Sequence, residues 1–187
     1  INRLFEGTNE INRMIIANQI FKKVGNGQLP FHKDAEDLAA FEGSLGWSKT
    51  AVERAKRIFQ VAVATALEVA GQKLIENQEA SARVADMAMG LYTMESAVVR
   101  AEKLADASDR WAAFAQDAAE VFVNEESLAV ASRARLFLAE VLEHEALEAA
   151  LATLARIALP TPVASSRLRD RIAALLIEKG AYPIELF

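Results

Sequence analysis

Apolar residues recur at three- and four-residue steps through most of the chain, which is the spacing of an amphipathic helix. The pattern predicts helices over residues 9–23, 50–77 and 79–106, another from about 111 that is either continuous or broken near Asn124, one that stops before Pro160, and a last one over 165–179. β-Alternation is absent from the sequence. We therefore expect an all-α fold, an antiparallel bundle of about four to five helices preceded by one further helix.

The helix predicted over residues 79–106 carries a heptad seam of Val84, Met87, Leu91, Met94, Val98, Ala101 and Ala105. Such a seam predicts near-antiparallel packing against the preceding helix. Gly90 lies within it and lowers intrinsic helix stability, which indicates a close crossing with a neighbouring helix. We also expect Met87, Met89 and Met94 to lie in or near the core.

The ends of three predicted helices carry local signals. Thr50 and Glu53 are spaced as a capping box at the start of the helix over 50–77. Pro160 cannot continue the helix that precedes it, because proline has no backbone N–H. Gly180 is the expected C-cap of the last helix.

Residues 24–47 differ from the rest of the chain and contain glycines and a proline among mixed polar residues: Gly25, Gly27, Pro30, Gly43 and Gly46. This composition predicts a linker with a short helix near residues 34–41. We expect three segments: residues 1–24, a linker over 25–47, and a helical domain over 48–187.

Composition excludes several function classes. Hydrophobic residues make up 52% of the 187 residues, yet no run is long and apolar enough to span a bilayer. The net charge of −5 argues against a nucleic-acid partner, which needs a concentrated basic face. The absence of cysteine excludes disulfides and thiol catalysis, and it fits a reducing compartment.

Residues 4–13 are the part of the sequence that most resembles a chemical site. Gly7 permits a turn that other residues resist, and Thr8 or Asn9 can cap the helix that follows. Glu6 lies just ahead of that turn, at the positive end of the helix dipole. The stretch therefore predicts a carboxylate beside a potential anion site.

The same stretch closely resembles the C-terminal signature of the flavin-dependent acyl-CoA dehydrogenases, with matches at Phe5, Glu6, Gly7, Thr8, Asn9, Glu10, Ile11 and Arg13. The resemblance implies that Glu6 is the general base that removes the α-proton of an acyl-CoA thioester. Gly7 would lie against the substrate, while Thr8, Asn9 and Glu10 would lie along the FAD cofactor. It also implies electron-transfer flavoprotein as a partner, and it makes the helix after the motif the last helix of the catalytic bundle.

A weaker similarity extends downstream. Residues 77–79, 83–86, 91–94 and 180–183 resemble the additional C-terminal helical domain of very-long-chain acyl-CoA dehydrogenases. This type implies long-chain acyl-CoA as substrate and a homodimer as the assembly. A basic amphipathic segment attaches that type to membranes, and the slightly acidic composition of residues 24–47 weakens the inference of membrane attachment here.

Because the sequence begins at Ile1, inside this motif, we expect a C-terminal fragment that is inactive alone. The alternative is a purely structural or dimerisation module without a catalytic role. A bacterial cytoplasmic location is favoured, and a mitochondrial one is possible.

Other charged residues favour structural roles. Arg13 is expected to pair with a carboxylate rather than to contact a ligand. His144 lies near Glu140, Glu143 and Glu148, but the chain has only two histidines and neither follows a glutamate by three residues, so no metal site is predicted. The basic clusters at 54–57 and 167–171 are expected on solvated faces.

Overall fold

A computed structural model describes residues 8–31, 33 and 46–182. The described part of the chain is all-helical and contains six α-helices: α1 (Asn9–Gly25), α2 (Trp47–Ala70), α3 (Gln78–Asp106), α4 (Ala112–Ala139), α5 (His144–Ala155) and α6 (Ser165–Lys179). A 3₁₀ helix over Gly71–Glu76 joins α2 to α3. The all-α prediction is confirmed, with five helices following the linker. The short helix expected near residues 34–41 lies outside the described residues.

Helices α2 and α3 form an antiparallel pair, as the heptad seam predicted. Lys49 near the start of α2 pairs with Glu102 near the end of α3 at 2.5 Å, and Lys56 pairs with Glu95 at 2.6 Å. The 3₁₀ helix reverses the chain, and the side chain of Asn77 then caps α3 by accepting a hydrogen bond from the Ala80 amide at 3.0 Å.

The predicted capping box at Thr50 and Glu53 is wrong. Helix α2 already begins at Trp47, with Gly46 in the N-cap position, where glycine is well tolerated. Thr50 therefore lies inside the first turn and donates its hydroxyl hydrogen bond to the Gly46 carbonyl at 3.2 Å. Glu53 instead pairs with Lys56 one turn later at 2.9 Å.

Helix α4 is the central element, because it packs against α2, α3, α5 and α6. It is continuous through Asn124, so of the two alternatives left open by the sequence the unbroken helix is correct. Its core-facing side chains are fully buried and include Val123, Val130, Phe137 and Leu138. The seam of α3 faces them, with its residues from Val84 to Ala101 buried as predicted.

The crossing of α3 and α4 is close at Gly90. A Cβ atom built on Gly90 would lie 2.4 Å from the Glu126 carboxylate oxygen of α4. Glu126 is held there by an ion pair with Arg133 at 2.5 Å. A residue without a side chain at position 90 therefore makes room for a charged side chain of the neighbouring helix.

Helix α6 lies against α4 at the edge of the bundle. Leu168 is its only fully buried residue, and two ion pairs tie its exposed side to α4: Arg171 to Asp117 at 2.5 Å and Arg169 to Glu125 at 2.6 Å. The helix has the predicted bounds and ends at Gly180, whose φ of 60° is the left-handed conformation that favours glycine.

Apolar spacing does not identify the buried side of every helix. Leu128 and Leu136 share the helical spacing of the apolar residues of α4, yet they are 47% and 48% exposed. Met89 was placed near the core but is 37% exposed, whereas Met87 and Met94 are fully buried. These helices are apolar on more than one side, so periodicity alone does not identify which side faces the neighbours.

Helix α1 packs on α2 and α3 rather than standing apart from them. Ala17 and Phe21 are buried in the same core cluster as the residues of α2, α3 and α4. Part of the linker also packs there, because the ring of Phe31 lies edge-on to Phe59 of α2 with centroids 5.6 Å apart. The division into three segments stays a prediction, but the first helix and the later ones share one core.

Candidate functional site

The described part of the motif forms the first turn of α1. Thr8 has an extended backbone and caps the helix, since its hydroxyl oxygen accepts a hydrogen bond from the Ile11 amide at 3.4 Å. Its carbonyl accepts the Asn12 amide at 3.0 Å. The amides of Asn9 and Glu10 come before the Ile11 amide in the chain. They lie at the N-terminus of the helix, where the helix dipole favours negative charge.

Glu6 and Gly7 lie outside the described residues. Their roles as general base and substrate contact therefore stay predictions.

A cleft of about 360 Å³ opens beside the first turns of α1, between this helix and the N-terminal half of α3. Its lining comprises Glu10, Ile11, Arg13, Met14, Gln78, Glu79, Ala82 and Asp86. Three of these side chains are acidic, and Arg13 is the one basic residue among them. The cleft by itself therefore has an acidic lining, which does not suit a dinucleotide phosphate.

Arg13 spans this cleft to α3. Its Nε donates a hydrogen bond to Asp86 Oδ1 at 2.6 Å, and both side chains are about one-third exposed. The prediction that Arg13 pairs with a carboxylate is confirmed. Sequence reasoning did not identify Asp86 as the partner, because the two residues are 73 positions apart and lie on different predicted elements.

The buried residues of α1 lie beyond its first two turns. Ala17 is the first buried residue, and Phe21 is the second. The motif end is more open, with Ile11 and Ile15 each 54% exposed. At this end, Arg13 and Met14 are half-buried and line the cleft between α1 and α3.

The other charged candidates are His144 and the basic clusters. His144 is exposed at the first position of α5, and the described residues contain no group of three His, Cys, Asp or Glu side chains that could hold a metal ion. Of the basic clusters, Arg54 donates to the Ala158 carbonyl and Lys56 lies between two carboxylates.

Burial by itself would lower the pKa of Lys56, but its hydrogen bonds to Glu53 and Glu95 outweigh that effect and raise the pKa above its ordinary value.

Within the described ranges, no helix is both long and apolar enough to cross a bilayer.

Comparison with known proteins decides the family. A model of the family described as acyl-CoA dehydrogenase, C-terminal domain, matches residues 54–156, more than half of the chain. The chain belongs to this family. The matched range runs from the first turns of α2 to the end of α5, so it covers the central helices of the bundle.

Two relatives extend the similarity over nearly the whole chain. A probable acyl-CoA dehydrogenase of Bacillus subtilis is 32% identical over an alignment of 195 positions that covers 98% of this chain. The crystal structure of an acyl-CoA dehydrogenase complexed with FAD from Bacillus anthracis is 30% identical, with a TM-score of 0.83 over 98% of the chain. The chain spans about a third of the length of each relative, 33% in both comparisons.

Proposed function

We propose that this chain is the C-terminal part of an FAD-dependent acyl-CoA dehydrogenase and that it supplies the catalytic base, Glu6. The observation that carries the proposal is the packing of α1, the helix of the motif, into one core with the helices that match the family. Ala17 and Phe21 of α1 lie in that core together with Val63 and Met87. The helix that carries the described part of the motif and the family domain therefore belong to one folded unit.

The reaction would be α,β-dehydrogenation of a fatty acyl-CoA. In it, the Glu6 carboxylate takes the α-proton of the thioester, and its backbone N–H helps to bind the thioester carbonyl. A thioester α-proton is weakly acidic, so the base has to work in a dry site where the enolate oxygen meets hydrogen-bond donors. Gly7 would lie against the substrate, since the absence of a side chain permits close approach.

Thr8, Asn9 and Glu10 are the residues proposed to lie along FAD. The start of α1 fits this role, because the Thr8 side chain caps the Ile11 amide and leaves the Asn9 and Glu10 amides at the positive end of a 17-residue helix. FAD held there would supply the acceptor for the β-hydrogen, which leaves as hydride.

We also propose the finer assignment to the very-long-chain type, with long-chain acyl-CoA as substrate and electron-transfer flavoprotein as electron acceptor. The five helices after the linker support the extra helical domain that this type carries. For the location we propose the bacterial cytoplasm, with the mitochondrion as the alternative. We do not propose membrane attachment.

The isolated chain is proposed to be inactive. The cleft beside the motif has an acidic lining of Glu10, Glu79 and Asp86, and its one arginine is already paired. A site for a dinucleotide therefore needs cationic or donor groups from elsewhere.

A purely structural or dimerisation module is the second candidate function. The exposed Ile11 and Ile15 on α1 support it, because an apolar helix face of this kind favours association. Light scattering on the isolated chain tests it, and a monomer mass at high concentration would count against a homodimer built by this segment alone.

Flavin absorption tests the first proposal for the chain by itself. The purified chain mixed with FAD and then desalted should be colourless, while the complete enzyme that contains it should retain FAD. A yellow chain with stoichiometric FAD would overturn the proposed dependence on other domains.

A further inference from the structure

We propose that Asp86 is a positioning residue for the catalytic motif, acting through Arg13. This inference rests on the proposed function, because the motif at the start of α1 is proposed to be catalytic. Asp86 of α3 would hold that end of α1 in position. Asp86 belongs to the segment that matches the family model, whereas Arg13 belongs to the motif. The ion pair is thus a direct connection between the helical domain and the motif.

The geometry of the pair suits this role. Arg13 Nε and Asp86 Oδ1 are 2.6 Å apart, which is the length of a strong charge-assisted hydrogen bond. Both side chains are about two-thirds buried, so water screens the pair less than it screens a surface ion pair. Such a contact fixes direction as well as distance, because the guanidinium donor is planar.

The distribution of burial along α1 explains why this end of the helix needs a directed contact. Ala17 and Phe21 hold the second half of the helix in the core. Ahead of them, Ile11 and Ile15 are mainly exposed, and among the described residues a cleft separates part of this end of α1 from α3. Apolar burial therefore fixes the C-terminal half of α1 better than the motif end.

Glu6 precedes Arg13 by seven positions, and the Thr8 cap lies between them. Arg13 and the Thr8 cap belong to the same end of one helix, so a shift of Arg13 also shifts the cap. Loss of the Asp86 charge would let this end of α1 shift, and shifts of about 1 Å at a catalytic group are enough to lower turnover strongly.

The first test uses the complete dehydrogenase that contains this chain. Asp86→Asn keeps the shape of the side chain but removes its charge, and Glu79→Gln is the matched control, an acidic residue of the same cleft for which no hydrogen bond or ion pair is described. Asp86→Asn should lower kcat about tenfold with KM little changed and FAD fully retained. Asp86→Glu should recover at least half of the lost turnover, and Glu79→Gln should match wild type.

A second measurement uses the chain itself and does not depend on turnover. Hydrogen exchange of the amides at residues 13–16, which bond within the first turns of α1, should be about tenfold faster in Asp86→Asn. Exchange at residues 20–24 should be unchanged, because Phe21 still anchors that half. Glu79→Gln should change neither region.

The outcomes separate this inference from the proposed function. If wild type turns over acyl-CoA and Glu6→Gln does not, the proposed function stands whatever Asp86 does. Turnover of Asp86→Asn within twofold of wild type, or unchanged exchange at residues 13–16, would overturn the positioning role. Loss of FAD together with activity in Asp86→Asn would also overturn it, because the residue would then serve cofactor binding or folding.

Discussion

The buried side chain of Asn124 in α4 is hydrogen-bonded to both backbone polar groups of Val163. Its Oδ1 accepts from the Val163 amide at 3.0 Å, and its Nδ2 donates to the Val163 carbonyl at 3.2 Å. Nδ2 also donates to the Ser165 hydroxyl oxygen at 2.9 Å. One side chain therefore holds the segment that leads into α6 against the centre of the bundle.

Replacing Asn124 by Ala should lower the free energy of unfolding by about 1–3 kcal/mol, because it leaves the Val163 groups without their partner in a partly buried position. Urea denaturation measures the difference. Asn18→Ala, on the exposed side of α1, is the matched control and should change stability by less than about 0.5 kcal/mol. Equal effects of the two substitutions would contradict the bracing role of Asn124.

The Gly90 crossing gives a second prediction. Alanine at position 90 favours the helix by about 1 kcal/mol, but its Cβ displaces the Glu126 carboxylate from its pairing with Arg133. The two effects oppose each other, so Gly90→Ala should be nearly neutral in thermal unfolding.

In a Glu126→Ala background the carboxylate that meets the new Cβ is absent, and Gly90→Ala should then stabilise the folded protein by about 1 kcal/mol. A double-mutant cycle on Gly90 and Glu126 measures the coupling. If Gly90→Ala stabilises equally in both backgrounds, Glu126 does not limit the space at this crossing.

Lys56 gives a pH-dependent prediction. Its pKa is raised above 10.5 in the folded protein, because the two hydrogen-bonded carboxylates outweigh the effect of burial. A raised pKa contributes stability that is fully present below the unfolded value and is lost as the pH rises through the folded one. Lys56→Met should therefore be less stable than wild type by up to about 1 kcal/mol at pH 8, and the difference should shrink above pH 10.5.

Urea titrations at pH 8 and pH 11 check this difference. The control is the same substitution in a Glu53→Gln/Glu95→Gln background, where only burial acts on the Lys56 pKa and lowers it, so the pH dependence should reverse its sign. A stability difference that stays constant from pH 8 to pH 11 would show that Lys56 acts through packing alone.

The fold was predictable where the local signals are strong. Helix α6 has the predicted bounds, since Pro160 and Pro162 separate it from the preceding helix and Gly180 supplies the left-handed stop. The seam of α3 was predictable from its heptad spacing. The start of α2 was not predictable, because the N-cap is Gly46 and the polar residue expected there, Thr50, lies inside the helix.

The candidate site was predictable only in part. The motif identifies the family from adjacent residues, and the comparison with known proteins agrees with it. Asp86 could not be found in the same way, because it meets Arg13 only after α1 folds back on α3. Asn124 illustrates the same limit: a polar residue inside an apolar helix suggested a break, whereas tertiary contacts give it partners.

The central claim, that Glu6 is the base of an acyl-CoA dehydrogenase, is tested most directly by anaerobic reduction of bound flavin. A long-chain acyl-CoA is mixed with the complete enzyme that contains this chain, and the loss of visible flavin absorbance is followed for wild type, Glu6→Gln and the control Glu79→Gln. Wild type and the control should bleach rapidly, while Glu6→Gln should retain FAD and bleach at least about a hundredfold more slowly. Bleaching of Glu6→Gln at the wild-type rate would contradict the claim.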